Sequence, residues 1–205
     1  MSAKAILPRA PDQTARPKIG IQGIEGSYSE QAARILLAQL GVQSYEIMPL
    51  LTAGRVIAAL AKQIVQLGAV AIRNNHGGEV EETRLAFQTG SFSKVAGCVL
   101  PIRHCLYTRD SSVTADAVTI IVSHEQALRQ CAENLSGLFP TASRVAIEDT
   151  AVGAARLAAG DYPPRAGVIC SREAGMRNGL FLLYEKMEDR EDNETEFWII
   201  KSAMP

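Results

Sequence analysis

An α/β fold is what this sequence predicts, and three observations predict it. Short apolar runs alternate along the chain with longer stretches whose apolar residues recur at helical spacing. Polar or glycine-bearing turns follow several of the runs, as at Gly23-Ile24-Glu25-Gly26 and Arg73-Asn74-Asn75-His76-Gly77-Gly78. Of 205 residues, 47% are hydrophobic and 21% charged, which suffices for a buried core and excludes wholesale disorder. Strands separated by helices at this rhythm belong to a mostly parallel sheet.

The elements follow in order. Residues 1–17, with Pro8, Pro11 and Pro17, read as a disordered tail. Lys18-Ile19-Gly20-Ile21 is a buried strand, and Ser27-Tyr28-Ser29-Glu30 opens a helix, with Ser27 and Glu30 at capping-box spacing. Ala32, Ala33, Leu36, Leu37 and Leu40 form its apolar face and Gly41 its stop. Tyr45 to Met48 is strand-like; Thr52 to Gln66 is helical, with Val56, Ala59, Leu60 and Ile64 on one side. Ala69 to Ile72 is a further strand and Glu79 to Gln88 a further helix. Later strands are expected at Arg103–Thr108, Val118–Val122, Val145–Ile147 and Gly167–Ile169, with helices over His124–Leu135, Thr150–Ala159 and Ser171–Arg177. Two last strands, Phe181–Lys186 and Phe197–Lys201, flank an acidic stretch, Glu188 to Glu194, that reads as a solvated turn.

Composition excludes several function classes. Lys plus Arg is 21 and Asp plus Glu is 22, a formal net charge of -1, so no global electrostatic grip on nucleic acid or a membrane is expected. Cys98, Cys105, Cys131 and Cys170 are far apart and form no C-x-x-C pair, a poor pattern for zinc or a disulfide scaffold. The start carries no apolar signal segment, and no run approaches the roughly 20 apolar residues of a membrane span. A cytoplasmic location in a reducing compartment is the expectation.

In open α/β sheets, ligands bind beyond the carboxyl ends of strands. Four segments fit: Gly23 to Tyr28, Arg73 to Gly78, Ser123 to Gln126, and Asp189 to Phe197. Each also has a purely structural reading. Ser27 and Ser123 (the latter with Gln126 at capping-box spacing) serve equally as helix caps, and the glycines as turns. His104, inside an apolar strand, reads as a hydrogen-bonded core histidine, whereas His76 and His124 sit at strand ends. No histidine pair has metal-ligand spacing, so no metal is expected.

Together these segments resemble the prephenate dehydratase family across nearly the whole ordered chain. Gly23-Ile24-Glu25-Gly26-Ser27-Tyr28-Ser29-Glu30-Gln31-Ala32-Ala33 is similar to the family's G-P-E-G-T-F-S-x-x-A-A. Ser123-His124-Glu125-Gln126-Ala127-Leu128-Arg129-Gln130-Cys131 is similar to S-H-P-Q-A-L-x-Q-C, and Asn193-Glu194-Thr195-Glu196-Phe197 falls where the family has N-x-T-R-F. Weaker matches are Ile102-Arg103-His104-Cys105-Leu106 and Asp149-Thr150-Ala151. The resemblance implies an α/β, two-lobed fold of the periplasmic-binding-protein type II-like kind. Its lobes are expected at about 18–97 plus 181–205 and at about 98–180, with no regulatory ACT domain after them.

Two departures stand out. Where the family has P-I-E-N-S, this chain reads Ala71-Ile72-Arg73-Asn74-Asn75, and where it has T-R-F, Thr195-Glu196-Phe197. The sign of charge is exchanged at two motif positions, and Arg73 and Glu196 are expected to be neighbours inverted as a unit, since a buried charge that loses its partner costs roughly 3–5 kcal/mol. The resemblance then points to the superfamily's non-aromatising prephenate decarboxylases of bacilysin-type and aeruginosin-type antibiotic biosynthesis, with no cofactor; the family's dehydratases are commonly dimers or larger, so a homodimer is among the assemblies it allows. Alternatives are a monofunctional dehydratase giving phenylpyruvate and a non-catalytic small-molecule-binding protein. Candidate catalytic residues are Arg73, His76, His124, Thr195 and Glu196; His76, His124 and Glu196 are chemically able to donate the proton. Candidate substrate contacts are Ser27, Tyr28, Asn74, Asn75, Ser123, Gln126 and Phe197.

Overall fold

A computed structural model describes residues 16–203. The tail expected over residues 1–17 lies outside them for residues 1–15; the Pro17 carbonyl already accepts the amide of Glu46 at 2.9 Å. The chain forms two compact units. Of the described residues, one unit holds 16–24, Tyr28–Leu100 and 194–203; the other holds Glu25–Ser27 and Pro101–Asn193.

The first unit contains β1 (Lys18–Ile21), α1 (Tyr28–Gln39), β2 (Glu46–Pro49), α2 (Ala53–Ala61), β3 (Leu67–Asn74), β4 (Gly78–Glu79), α3 (Glu81–Phe87), β5 (Phe92–Pro101) and β11 (Glu194–Ser202). Its sheet runs β2-β1-β3-β11-β5, with β4 added to β3. β1 is parallel to β2 and β3, and β11 returns antiparallel to β3. Because β1 and β3 are covered on both faces, they read as continuous apolar runs. On one face Ala33, Leu36 and Leu37 of α1 pack against Ile19, Ile21, Leu67 and Ile199. On the other, Val56 and Leu60 of α2 and Ala86 of α3 meet Val70, Ile200 and the half-buried Trp198. Gly68 permits the approach of α2, since a Cβ there would stand 2.5 Å from a Val56 methyl.

The second unit contains β6 (Cys105–Thr108), a 3-10 turn (Ala115–Ala117), β7 (Ile120–His124), α4 (Glu125–Gln130), α5 (Ala132–Leu138), β8 (Ser143–Ile147), α6 (Thr150–Ala159), β9 (Ala166–Cys170), α7 (Arg172–Arg177) and β10 (Phe181–Tyr184). Its sheet runs β10-β6-β9-β7-β8, with β7 parallel to both β8 and β9. Leu106, Ile121, Leu128, Leu135 and Ile169 form the core under α4 and α5.

Several expectations need correction. Phe181 pairs with Thr108, so residues 181–193 belong to the second unit, and residues 98–100 to the first. The helix from Thr52 ends at Ala61, where Gln63 turns left-handed at φ 55°, and Ile64 is 49% exposed rather than on the apolar face. The helix expected from His124 to Leu135 is two, meeting at Cys131. β5 was not expected at all: its interior glycine and mixed polarity show no clean period.

The acidic stretch is a solvated turn only in its later part, where Glu191 and Asp192 are exposed, and not at its start. Glu188 is buried, and its carboxylate accepts the His104 amide at 2.7 Å and lies 3.6 Å from Arg103. Asp189 accepts the first amides of α5, Asn134 at 2.9 Å and Glu133 at 3.1 Å, capping that helix from a distant loop. His104, as expected, is a core residue, its Nε2 2.9 Å from the Gln130 side-chain oxygen.

Candidate active site

β3, the turn after it and β11 bring seven of the sequence candidates together. Their register pairs Asn74 with Thr195 and Arg73 with Glu196, then slips by one residue so that Phe197 meets Ala71, leaving Ile72 in a bulge. Bulges of this kind re-aim side chains at strand ends. Asn74 and Thr195 are both buried, and the Asn74 amide donates to the Thr195 hydroxyl and to the Glu194 carbonyl, each at 2.9 Å. The hydroxyl thus accepts from Asn74 and keeps its own proton to donate. The other end of the Asn74 amide accepts from the amides of His76 (3.0 Å) and Gly77 (2.8 Å), shaping the turn that carries the exposed His76. Gly78 closes this turn at φ 75°, where a side chain would be strained. Asn75 exchanges two bonds with the Glu194 backbone, at 3.0 and 2.9 Å. Both asparagines, expected as substrate contacts, are therefore engaged in building the start of β11.

Arg73 and Glu196 are cross-strand neighbours, as expected of an inverted pair. The reason expected for the inversion does not hold, because neither charge is buried: Arg73 is exposed, and the Glu196 side chain keeps 35% of its surface. The Glu196 carboxylate accepts the Trp198 indole N–H at 2.5 Å and lies 3.3 Å from Lys94. The indole bond first, then Lys94, then Arg73 hold its pKa below the usual carboxylate range. Glu196 is thus an anion at neutral pH, which corrects its expected candidacy as proton donor. Successive strand residues face opposite sides, so Thr195 lies on the α1 face while Glu196 joins Trp198 on the other. Phe197 is 3% exposed and belongs to the sheet interior, against its expected role as a substrate contact.

The remaining candidates fall in the second unit, apart from Tyr28, which begins α1. Ser123, expected as a cap and substrate contact, is fully buried within β7 and donates to the Ile169 carbonyl at 2.7 Å, tying β7 to β9. The cap of α4 is instead His124, whose Nδ1 accepts the Gln126 amide at 3.2 Å. Asp149 caps α6 through Ala151 and Val152; burial raises its pKa against the smaller opposing pull of those two amides and His124. Ser27 is buried next to Gly26, whose carbonyl accepts the Ser171 hydroxyl at 2.7 Å. Ser171, which also caps α7, went unrecognised as a candidate, although a serine directly before a helix signals a cap. Among the described residues, no group of three His, Cys, Asp or Glu side chains is placed to hold a metal ion. No helix among them is long and apolar enough to cross a membrane.

The model of the prephenate dehydratase family matches residues 19–205. The chain belongs to this family. Arogenate dehydratase 2 of Petunia hybrida is 30% identical over 186 residues, covering 91% of this chain and 45% of that protein. The bifunctional chorismate mutase/prephenate dehydratase of Pseudomonas aeruginosa is 30% identical over 183 residues, 89% of this chain and 48% of the relative. The chain thus spans about half the length of the curated relatives it matches. A prephenate dehydratase from Arthrobacter aurescens, solved in complex with L-Phe, has a TM-score of 0.79 at 24% identity, covering 92% of this chain and 61% of that one. The fold of this family member is accordingly the α/β, periplasmic-binding-protein type II-like one.

Proposed function

We propose that this family member is a non-aromatising prephenate decarboxylase. The ring carboxylate of prephenate leaves as carbon dioxide, its bonding electron pair moves into the ring diene, and a proton is taken up at a ring carbon. The ring hydroxyl stays, giving a dihydro-4-hydroxyphenylpyruvate. The two ring double bonds flank the carbon that loses carbon dioxide and together delocalise the electron pair it leaves behind, so the chemistry calls for positioning and a proton rather than an added cofactor.

One observation carries this reading. Where the family motif has a carboxylic acid, at the end of β3, this chain has Arg73, and its acidic partner Glu196 is held ionised by Trp198 and Lys94. A guanidinium does not give up a proton at neutral pH, and an ionised carboxylate has none to give. Neither member of the exchanged pair can protonate a departing hydroxyl, the step that aromatisation requires. The Thr195 O–H, aimed by Asn74, hydrogen-bonds the hydroxyl that remains. With Glu196 unsuited, His76 and His124 stay as candidate proton donors.

A second reading, a dehydratase giving phenylpyruvate, is favoured by the Asn74–Thr195 pair, which matches the family motif intact, and by the names of the relatives. Purified protein incubated with prephenate and followed by proton NMR decides between them. Vinyl and carbinol signals of a non-aromatic ketoacid are expected; aromatic signals of phenylpyruvate as the main product would refute the decarboxylase reading.

A further inference from the structure

The Arg73–Glu196 pair belongs to a longer row of charges. Across β4, β3, β11 and β5, side chains of alternating sign succeed one another. Glu79 stands opposite Arg73, Arg73 opposite Glu196, and Glu196 pairs with Lys94 at 3.3 Å. Lys94 also lies 4.3 Å from the centre of the Trp198 ring. That position is open because residue 97 is glycine: a Cβ there would come within 2.7 Å of Lys94 Cε and 3.0 Å of Trp198 Cδ1.

The row sits beside the bulge at Ile72. Upstream of it, the buried apolar residues of β3 and β11 enforce their pairing, because a slip would expose them. Beyond it the bulge has broken that continuity, and only Arg73 and Asn74 remain before the strand ends. A slip of one residue would bring Asn74 opposite Glu194 or Glu196 and take its amide off the Thr195 hydroxyl. Opposite charges directly across a ladder favour their own register, and either slip would set Arg73 opposite Thr195 or Phe197 in place of Glu196. We infer that Lys94 and Glu79 are positioning residues, which bracket the Arg73–Glu196 pair and so hold β3 and β11 in the register that seats Asn74 on Thr195. This rests on the reading of Thr195 as a substrate contact.

The test uses the full chain with Lys94→Met, Lys94→Arg and Glu79→Gln, read by steady-state kinetics on prephenate and by fluorescence of Trp198, the protein's single tryptophan. Misplacing a contact group by a fraction of an ångström costs mainly kcat, so Lys94→Met should lower kcat roughly tenfold with KM within about twofold of the parent, and shift the Trp198 emission. Lys94→Arg should restore both. Glu79 is exposed at the rim of the hairpin, so Glu79→Gln should fold normally and lower kcat roughly threefold. Two results would overturn the inference: Lys94→Met and Glu79→Gln both turning over prephenate at the parent's rate, or Lys94→Arg failing to recover what Lys94→Met loses. The parent's product tests the proposed reaction, whereas the ratio of variant to parent tests the row with whichever product forms, so the two failures are separable.

Discussion

Glu188 and Glu196 lie close together in sequence and in opposite surroundings. Glu188 belongs to the second unit, has a side chain only 2% exposed, and holds a backbone amide, that of His104. Glu196 belongs to the first, is partly exposed, and is held by the side chains of Trp198 and Lys94. A carboxylate that satisfies a buried amide cannot change sign without orphaning the backbone. One that faces other side chains can be inverted when its neighbours suit the new sign. The chain departs from the family's charges at the second kind of position.

The largest break in this comparison is expected from Glu188→Ala, which leaves the His104 amide unsatisfied and removes the carboxylate beside Arg103. It should cost about 3 kcal/mol of stability, read as a lower urea midpoint, whereas Glu196→Ala should cost under about 1 kcal/mol. Equal losses would mean that the amide-bound and the side-chain-bound carboxylate matter alike to stability.

Next comes the pH response of the buried side. Burial depresses the His104 pKa below its ordinary 6.5, against the opposing pull of Gln130 and Glu188. The unfolded chain therefore takes up this proton before the folded one does, so stability should fall as pH drops below about 6.5, and His104→Gln should flatten that limb of urea midpoint against pH. An unchanged slope would mean that His104 takes up its proton equally in both states.

A smaller effect is expected from exchanging the inverted pair. Arg73→Glu with Glu196→Arg would set Glu against Glu79 and Arg against Lys94, and should lower stability by about 1 kcal/mol. Adding Glu79→Lys and Lys94→Glu should recover most of it. If the double variant loses nothing, the row is not electrostatic. The smallest effect belongs to Glu196 alone. Its lowered pKa contributes stability above the usual 4.5 that is lost as pH falls through the folded value. Glu196→Gln should flatten that acid limb slightly.

Much of the fold was legible from local pattern. The apolar runs at Lys18–Ile21 and Gly167–Ile169, the helical face of α1 and the core placement of His104 all appear as expected, because each follows from its own few residues. β5 was not legible, since its residues carry no clean alternation and take their place by pairing with β11. The acidic stretch misled for a related reason: carboxylates usually face water, and the amides that Glu188 and Asp189 bind lie far away in sequence. Ser123 carried the spacing of a cap, yet β7 runs one residue further and hands that role to His124.

Of the candidate site, the sequence alone identified the strand-end residues and the exchanged signs at positions 73 and 196, because residue identity needs no partner to be read. Only the tertiary structure decided that Asn74 aims Thr195, that Glu196 turns to the other face, and that Glu79 and Lys94 complete the row. Those relations depend on strand register and on the bulge at Ile72, and register is set by burial and pairing between segments far apart in the chain.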